Sequence, residues 1–384
     1  MKNKGKKFVE ENMYYYHDKP IVDKVQFIDN GKPIVVELFC GCGGTSCGFE
    51  MAGYNIAVGV DIHEPSIKTF KANHHNCSTI LGDIRAIQPS DIINLLDGHP
   101  IDVLIGGVPC QGFSLNNKKR DANDERNYLY LEFLRFVKAL KPKAVVMENV
   151  SGMKSTKNGE FVKNIEKEIS KAGNYKVKSK LLNAADYGVP QKRQRLIFVG
   201  VKGDKYFAFD KMVKTNGPDT GRKYITVKEA IGDLPSLENN EEKTQYRCEP
   251  FSDYQKLMRK NRNILTCHKA PNHPKETIKK ISETMPGDPM YPKFKQRIRL
   301  SWDIQSPTQV SGGIRPQFQF GHPEDNRGLT IRERCRLQSF PDWFIVYGGI
   351  VQGRVQTGNA VPPLLAFAVA NALKKYINGG DKDV

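Results

Sequence analysis

From Ile34 onward the chain alternates short apolar, β-branched runs with polar stretches of helical length. The runs are IVVELF (34–39), IAVGVDI (56–62), STILGDI (78–84), IDVLIGG (101–107), KAVVMENV (143–150) and RLIFVGV (195–201). Strands buried on both faces lack a polar alternation and read as runs of this kind, while intervening segments such as Leu129 to Leu140 have the spacing of crossover helices. The pattern predicts βαβ units and an α/β fold with a doubly wound, mostly parallel, Rossmann-like sheet.

Residues 1–33 carry no sustained periodicity and are expected to be an N-terminal extension, closed by a turn at Asp29-Asn30-Gly31-Lys32-Pro33. Past residue 200 the rhythm fails, and Pro, Gly, Lys and Asn dominate with only scattered apolar pieces. This change predicts a second, smaller and irregular domain over 201–357, after a first domain over 34–200. The apolar LLAFAVANAL stretch, following Gly-Asn-Ala-Val-Pro-Pro, predicts a closing helix, so that residues 358–384 return to complete the first domain.

Charge then narrows the partners. The 384 residues hold 59 Lys+Arg against 42 Asp+Glu, a formal net charge of +17, and residues 255–300 alone contain twelve basic against three acidic side chains. Such an excess favours a polyanion over a small acidic metabolite. No apolar run is long enough to span a membrane, and the basic N-terminus lacks the apolar core of a secretory signal, so a cytoplasmic protein is expected. Eight cysteines in irregular positions fit reduced thiols rather than a disulfide framework. Cys40, Cys42 and Cys47 do not have zinc spacing, and Cys267, His268 and His273 lack a second close Cys pair, so no metal is expected.

Candidate chemistry falls on the strand ends. The first run enters Phe39-Cys40-Gly41-Cys42-Gly43-Gly44, the second ends at Asp61 and the third at Asp83. In doubly wound sheets a Gly-rich turn lets a ligand approach the backbone, and an acid after the second strand accepts from ribose hydroxyls. Ser46 stands where a third glycine would complete a dinucleotide fingerprint, which favours an adenosine-containing cofactor without pyrophosphate. Each feature also has a purely structural reading, since acids at strand ends cap helices. Their order within one βαβ series is what makes the combination informative. The fourth run leads into Gly107-Val108-Pro109-Cys110-Gln111-Gly112-Phe113-Ser114, and the fifth ends in Glu148-Asn149-Val150. A thiol and a carboxylate on neighbouring strand ends, beside a cofactor pocket, form a nucleophilic constellation.

With these residues in family order, the chain resembles the cytosine-5 DNA methyltransferases over most of residues 34–375. Phe39-x-Gly-x-Gly is similar to the motif that binds S-adenosylmethionine, Gly-Gly-Val-Pro-Cys-Gln to the nucleophile motif, and Glu148-Asn149-Val150 to the Glu-Asn-Val motif. Gln191-Lys192-Arg193-Gln194-Arg195 matches the Gln-x-Arg-x-Arg motif, Arg332 to Pro341 the motif that organises the recognition domain, and Gly358-Asn359-Ala360-Val361 the closing motif. The resemblance implies a methyltransferase sheet with a target-recognition domain, S-adenosylmethionine as cofactor and double-stranded DNA as partner. It further implies cofactor contacts from Phe39, Gly41, Cys42, Gly43, Asp61, Ile62, Asp83, Ile84, Pro109, Leu129, Asn359 and Ala360. Ile62 departs from the family's aromatic at that position.

The catalytic set implied is Cys110, Glu148, Arg193 and Arg195. Cytosine carbon 5 becomes nucleophilic only after a thiolate adds at carbon 6, the role of Cys110. Glu148 then donates to ring nitrogen 3, Arg195 holds the carbonyl oxygen at position 2, and Arg193 supports it with positive charge. The base must leave the helix to be reached. Gln111, Ser114, Lys256, Arg259, Lys260, Arg262 and Arg315 are the candidate DNA contacts. The layout resembles that of a prokaryotic restriction-modification methyltransferase, which implies a monomer and a cognate endonuclease acting separately. The alternatives are a tRNA cytosine-5 methyltransferase of the same fold and a non-catalytic DNA-binding relative. The basic segment predicts duplex binding whose logarithm falls steeply and linearly with the logarithm of salt concentration, measurable by fluorescence anisotropy.

Overall fold

The apolar runs have no charged face to leave in water, so they assemble where both faces are covered. In a computed structural model, which describes residues 19–109, 129–260, 262–311 and 318–377 (backbone alone at 155–158), they form the middle of an eight-stranded sheet. Its strands are β1 (Ile21–Asp23), β2 (Ile34–Leu38), β3 (Asn55–Asp61), β4 (Ser78–Leu81), β5 (Val103–Gly107), β6 (Ala144–Val150), β7 (Tyr175–Asn183) and β8 (Gln194–Lys202), in the lateral order β1-β4-β3-β2-β5-β6-β8-β7. The pairs β2 with β3, β3 with β4, β2 with β5 and β5 with β6 are parallel, whereas β8 runs antiparallel to β6. Helices α1 (Gly44–Met51), α2 (Glu64–Asn73), α3 (Pro89–Leu95), α4 (Leu129–Leu140) and α5 (Glu160–Gly173) lie between the strands in sequence. The core joins Val36, Leu38, Val58, Val60 and Leu104 of the sheet to Phe133, Phe136 and Val137 of α4 and Ile165 of α5.

Two edge strands depart from the pattern reading. Part of the expected extension is β1, which pairs antiparallel with β4, while Val25 and Ser78 exchange hydrogen bonds of 3.0 and 3.1 Å through the serine hydroxyl. Three residues with half-exposed Ile21 and Val22 leave no periodicity to detect. β7 carries Lys176, Lys178 and Lys180 on alternate positions, the composition that keeps an edge from pairing with another chain.

The chain divides into two compact units. The first runs to Leu182 and adds Gln194–Met212 and the chain from Ala366. The second comprises Asn183–Arg193 and Val213–Leu365. The divisions thus fall at 212/213 and 365/366, where the sequence pattern placed 200/201 and 357/358.

Regular structure in the second unit is sparse: α6 (Val227–Ile231), α7 (Asp253–Arg259), α8 (Lys275–Ser282), the two-residue strands β9 (Ile298–Arg299) and β10 (Phe320–Gly321), α9 (Ile331–Leu337) and α10 (Gly349–Asn359). The last helix, α11 (Pro363–Ile377), begins at the second proline of Pro362-Pro363 and carries the chain back into the first unit. Reciprocal side-chain caps start α6, α7 and α9, through Thr226 with Glu229, Ser252 with Gln255, and Thr330 with Glu333.

Buried arginines do the work that a sheet does elsewhere. Arg327 makes a bidentate pair with Glu333 at 2.9 and 2.8 Å, and Arg336 binds Asp342 at 2.6 and 2.7 Å and Asp233 at 3.1 Å. The Arg332 guanidinium donates to the carbonyls of Thr266, Pro341 and Phe344. α9 therefore projects guanidinium groups that tie together loops distant in sequence. Arg336→Leu would leave Asp233 and Asp342 buried without their main partner, a loss of roughly 3–5 kcal/mol. Both tryptophans, Trp302 and Trp343, lie in this unit, so denaturant unfolding followed by their fluorescence should show the drop directly.

Candidate active site

The parallel order reverses on the two sides of β2, with β3 on one side and β5 on the other, and ligands bind in doubly wound sheets beyond the strand ends at such a point. Leu38 is in register with Val60 of β3 and Gly106 of β5, which sets the Gly-rich turn beside the segment leading to Cys110. Phe39 leaves the strand at φ 55° and Gly41 has φ 53°. The Cys40 amide donates to the Val60 carbonyl at 2.9 Å. The Gly41 amide donates to Asp61 Oδ2 at 2.8 Å, and the His63 amide to Asp61 Oδ1 at 2.8 Å. Asp61 thus braces the turn as well as standing at its rim. Burial pushes its carboxyl up, and the two amide bonds oppose that rise. A side-chain carbon placed on Gly41 would meet nothing within 4 Å, so this face of the turn is open to a ligand. Ile62 is half-buried, Cys42 is buried, and Gly43 at φ 89° begins α1. Burial and nearby carboxylates push the Cys40 thiol well up, which leaves it unreactive.

Asp83 stands at the start of the short helical turn after β4. It accepts from the Arg85 amide at 3.0 Å and its carboxylate is forked by the Arg85 guanidinium at 3.0 and 2.6 Å. That hydrogen bonding holds it below the usual carboxylate range. The Ile84 side chain packs in the apolar core and its carbonyl accepts from Arg135 at 2.9 Å.

Glu37 had no signal in the sequence, being a lone acid inside an apolar strand. It is 2% exposed and accepts from the Ser46 hydroxyl and, at 3.1 Å, from the Ser46 amide. It therefore ties β2 to the first turn of α1, bracketing the Gly-rich turn. Burial raises its carboxyl to about 7, against the opposing hydrogen bonds.

The parallel register of β5 and β6 puts Glu148 opposite Gly107. Across the antiparallel β6–β8 pair Arg195 faces Val150, so Glu148 and Arg195 are diagonal neighbours on one face, paired at 2.7 Å and both largely buried. Burial lowers the Arg195 guanidinium while Glu148 pulls it back up. Asn149 points the other way in the strand. Its amide donates to the Val108 carbonyl at 3.2 Å, fixing the backbone two residues before Cys110. Neighbourhood in sequence to Glu148 was its only prior signal. Pro109 is half-buried, and Leu129 packs on the core at the start of α4. Cys110, Gln111, Ser114 and Arg315 lie outside the described residues.

Arg193 requires a correction. It belongs to the second unit, is fully buried, and donates to the carbonyls of Gln309 at 2.8 Å, Gly358 at 2.8 Å and Ala360 at 2.9 Å. Its charge is spent on backbone, and it holds the segment that carries exposed Asn359 and half-buried Ala360 rather than facing a substrate. Gly358 is obligatory there, because a side-chain carbon would stand 2.2 Å from the Ser311 amide nitrogen. Gln191 completes the clasp, donating to the Leu337 carbonyl at 3.1 Å and accepting from the Gln309 amide at 3.0 Å.

Among the expected DNA contacts, Lys260 and Arg262 are exposed, and exposed Lys256 pairs with Asp253 at 3.4 Å. Arg259 is a second correction: it is buried, donates to the Cys248 carbonyl at 2.8 Å and stacks 3.8 Å from the Tyr246 ring centroid. His268 is buried between Thr330 and the Pro235 carbonyl, and His273 Nε2 accepts from the Gly328 amide. Burial pulls both imidazoles down, His273 to about 4.

Comparison with known proteins agrees with this arrangement of motifs. The profile of the C-5 cytosine-specific DNA methylases matches residues 34–375. The chain is 38% identical to the Type II methyltransferase M.DdeI of Desulfomicrobium norvegicum, over 89% of this chain and 88% of that protein. It is 35% identical to the Type II methyltransferase M1.HphI of Haemophilus parahaemolyticus, over 88% and 86%. Among solved structures, a prophage-encoded E. coli protein assigned as a DNA modification methyltransferase superposes with a TM-score of 0.75 at 25% identity, over 90% of this chain and 99% of that one. The S. pombe Dnmt2 methyltransferase shares the fold, with a TM-score of 0.59 at 16% identity, over 89% and 99%.

The raised Glu37 carboxyl makes a stability prediction. A group whose folded-state pKa lies above its unfolded value of 4.5 stabilises the fold at low pH, and that contribution is lost as pH rises through about 7. Thermal unfolding followed from about pH 5 to about pH 8 should show stability declining over this window, by up to roughly 3 kcal/mol. Glu37→Gln should remove that component of the decline.

Proposed function

The chain belongs to the C-5 cytosine-specific DNA methylase family and is a DNA cytosine-5 methyltransferase; from that premise we propose a mechanism in which Cys110 forms a covalent adduct with a flipped-out cytosine and S-adenosylmethionine is the methyl donor. The observation that carries the reading is the neighbouring of three strand ends: the Gly-rich turn after β2, the Gly107–Pro109 segment after β5, and Glu148 on β6 in register with Gly107.

The residues present fit the cofactor. Gly41 leaves an open backbone face, and Asp61 stands beside it with carboxylate oxygens suited to ribose hydroxyls. When bound, the cofactor supplies an electrophilic methyl group. Everything else falls to the chain and the base. The Cys110 thiolate adds to carbon 6, which breaks the ring's aromaticity and makes carbon 5 nucleophilic. As electron density moves toward ring nitrogen 3, a protonated Glu148 donates there, and its other oxygen accepts from the exocyclic amine. Arg195, now paired with Glu148, would turn one N–H toward the carbonyl oxygen at position 2. After methyl transfer, a water molecule takes the carbon 5 proton, ring nitrogen 3 returns its proton to Glu148, and the thiolate leaves carbon 6 as the ring is restored. Asn149 acts as a positioning residue by holding the Val108 carbonyl.

None of these atoms is accessible within a stacked duplex, so the target base must swing out. The second unit, with its exposed basic residues, is assigned to phosphate contacts and sequence reading. A protective role beside a restriction endonuclease matches the Type II naming of the relatives.

Bisulfite sequencing of DNA from cells that express the protein should reveal methylated cytosines in one short sequence context. Cys110→Ser should abolish tritium transfer from labelled S-adenosylmethionine into that DNA while leaving cofactor binding intact. Glu148→Gln should lower kcat about 10²–10⁴-fold. Undiminished turnover in the serine variant would overturn the covalent route, and preferential labelling of tRNA would overturn the substrate.

A further inference from the structure

Net charge located a basic region at 255–300, and the structure sorts its members. Arg259, Arg297 and Arg299 are buried, Lys256 is paired with Asp253 and Lys279 with Glu283. One stretch presents cations in a different way. Between α8 and β9 the chain makes a projecting loop whose base is held by backbone bonds from Gly287 to the Arg299 carbonyl at 2.7 Å, from Met290 to the Arg297 carbonyl at 2.8 Å, and from Arg299 to the Asp288 carbonyl at 3.0 Å. Met290 plugs into a small core with Ile281 and Phe318. Arg299 clamps the loop to its surroundings by donating to the carbonyls of Ile281, Thr284, His322 and Glu324 at 2.7–3.2 Å.

The tip of this anchored loop reads Lys293-Phe294-Lys295. All three side chains are exposed, Phe294 to 41%, and neither lysine has a carboxylate in ion-pair range among the described residues. The Arg297 guanidinium lies under the Phe294 ring, 4.7 Å from its centroid, and two further backbone bonds, Phe294 to the Tyr291 carbonyl and Arg297 to the Phe294 carbonyl, set the tip's path. Arg297 covers one face of the Phe294 ring, and 41% of the residue stays open to solvent, where a further apolar contact would remove it from water. Flanked by unneutralised lysines on a rigid support, it has the composition of a nucleic-acid contact: cations for phosphates and a flat apolar face for bases.

We propose that Lys293, Phe294 and Lys295 form a DNA-contacting finger of the second unit, the lysines binding phosphates and the Phe294 ring packing against bases in the groove. The inference rests on the reading of that unit as the recognition domain and adds the element that touches the duplex.

The test uses the full chain and two fluorescent duplexes, one carrying the sequence found methylated in cells and one lacking it. Anisotropy titrations over a salt series should show the Lys293→Ala/Lys295→Ala variant losing about 1.8 from the slope of log K against log salt, the equivalent of two phosphate contacts. Phe294→Ala should bind the methylatable duplex about tenfold more weakly with the slope unchanged, and Phe294→Trp should retain affinity. Tryptophan fluorescence of the alanine variants verifies that the unit is folded. Wild-type slope and affinity in the alanine variants would overturn the finger alone. Wild-type protein that binds neither duplex would overturn it together with the reading on which it rests.

Discussion

The register of three parallel strands is the constraint from which the site follows. Hydrogen bonding pairs Leu38 with Gly106 and Gly107 with Glu148, and no other alignment would bring the glycine turn, the segment leading to Cys110 and the Glu148 carboxylate to the same edge. A slip of one residue would turn Glu148 to the opposite face and put Asn149 in its place. The alternation of the strand gives the two neighbours different tasks: Glu148 reaches Arg195, and Asn149 reaches back to Val108. Val36, Leu104, Val145 and Phe198 lie on one face of the sheet and pack in one core, and a slip of a single residue would turn that apolar set away from it. The chemistry is therefore as rigid as the core beneath it.

The second unit reaches order by another route. With few strands to saturate its backbone, it uses guanidinium groups, each offering five donors in a planar fork. Arg332 and Arg193 spend theirs on carbonyl oxygens, and Arg327 and Arg336 on carboxylates that would be costly to bury alone. Among the described residues ten arginines are buried, so part of the positive charge, out of 59 basic side chains in the sequence, is internal scaffolding. Arg259, stacked on Tyr246, belongs to the same class.

Legibility in the sequence tracked the locality of the cause. The central strands and α4 were readable because burial on two faces, or on one helical stripe, is written in consecutive residues. β1 was hidden by its brevity and β7 by its lysines. Cofactor-turn residues could be picked out from a glycine pattern, and Glu148 from its place at a strand end. The clamp role of Arg193 was not readable, because its carbonyl partners lie more than a hundred residues away, at Gln309, Gly358 and Ala360. Arg259 misled for the same reason: a basic residue at a helix end looks solvated until the ring of Tyr246 arrives from an earlier loop. Glu37 combined both difficulties, being an isolated acid whose partner, Ser46, becomes close only when α1 folds back on β2.

The carbonyl-gripping arginines also bear on how such a protein changes over generations. A carbonyl oxygen is common to all twenty residue types, so a loop held by its backbone does not depend on its own side chains for its path. Arg299 secures the approach to Lys293-Phe294-Lys295 through four main-chain oxygens, and Arg332 holds the turn around Pro341 in the same manner. Substitutions in the loops so held can alter what they touch without altering where they run. If the second unit contacts DNA as proposed, those contacts could change in this way while the strands that carry Glu148 keep their register.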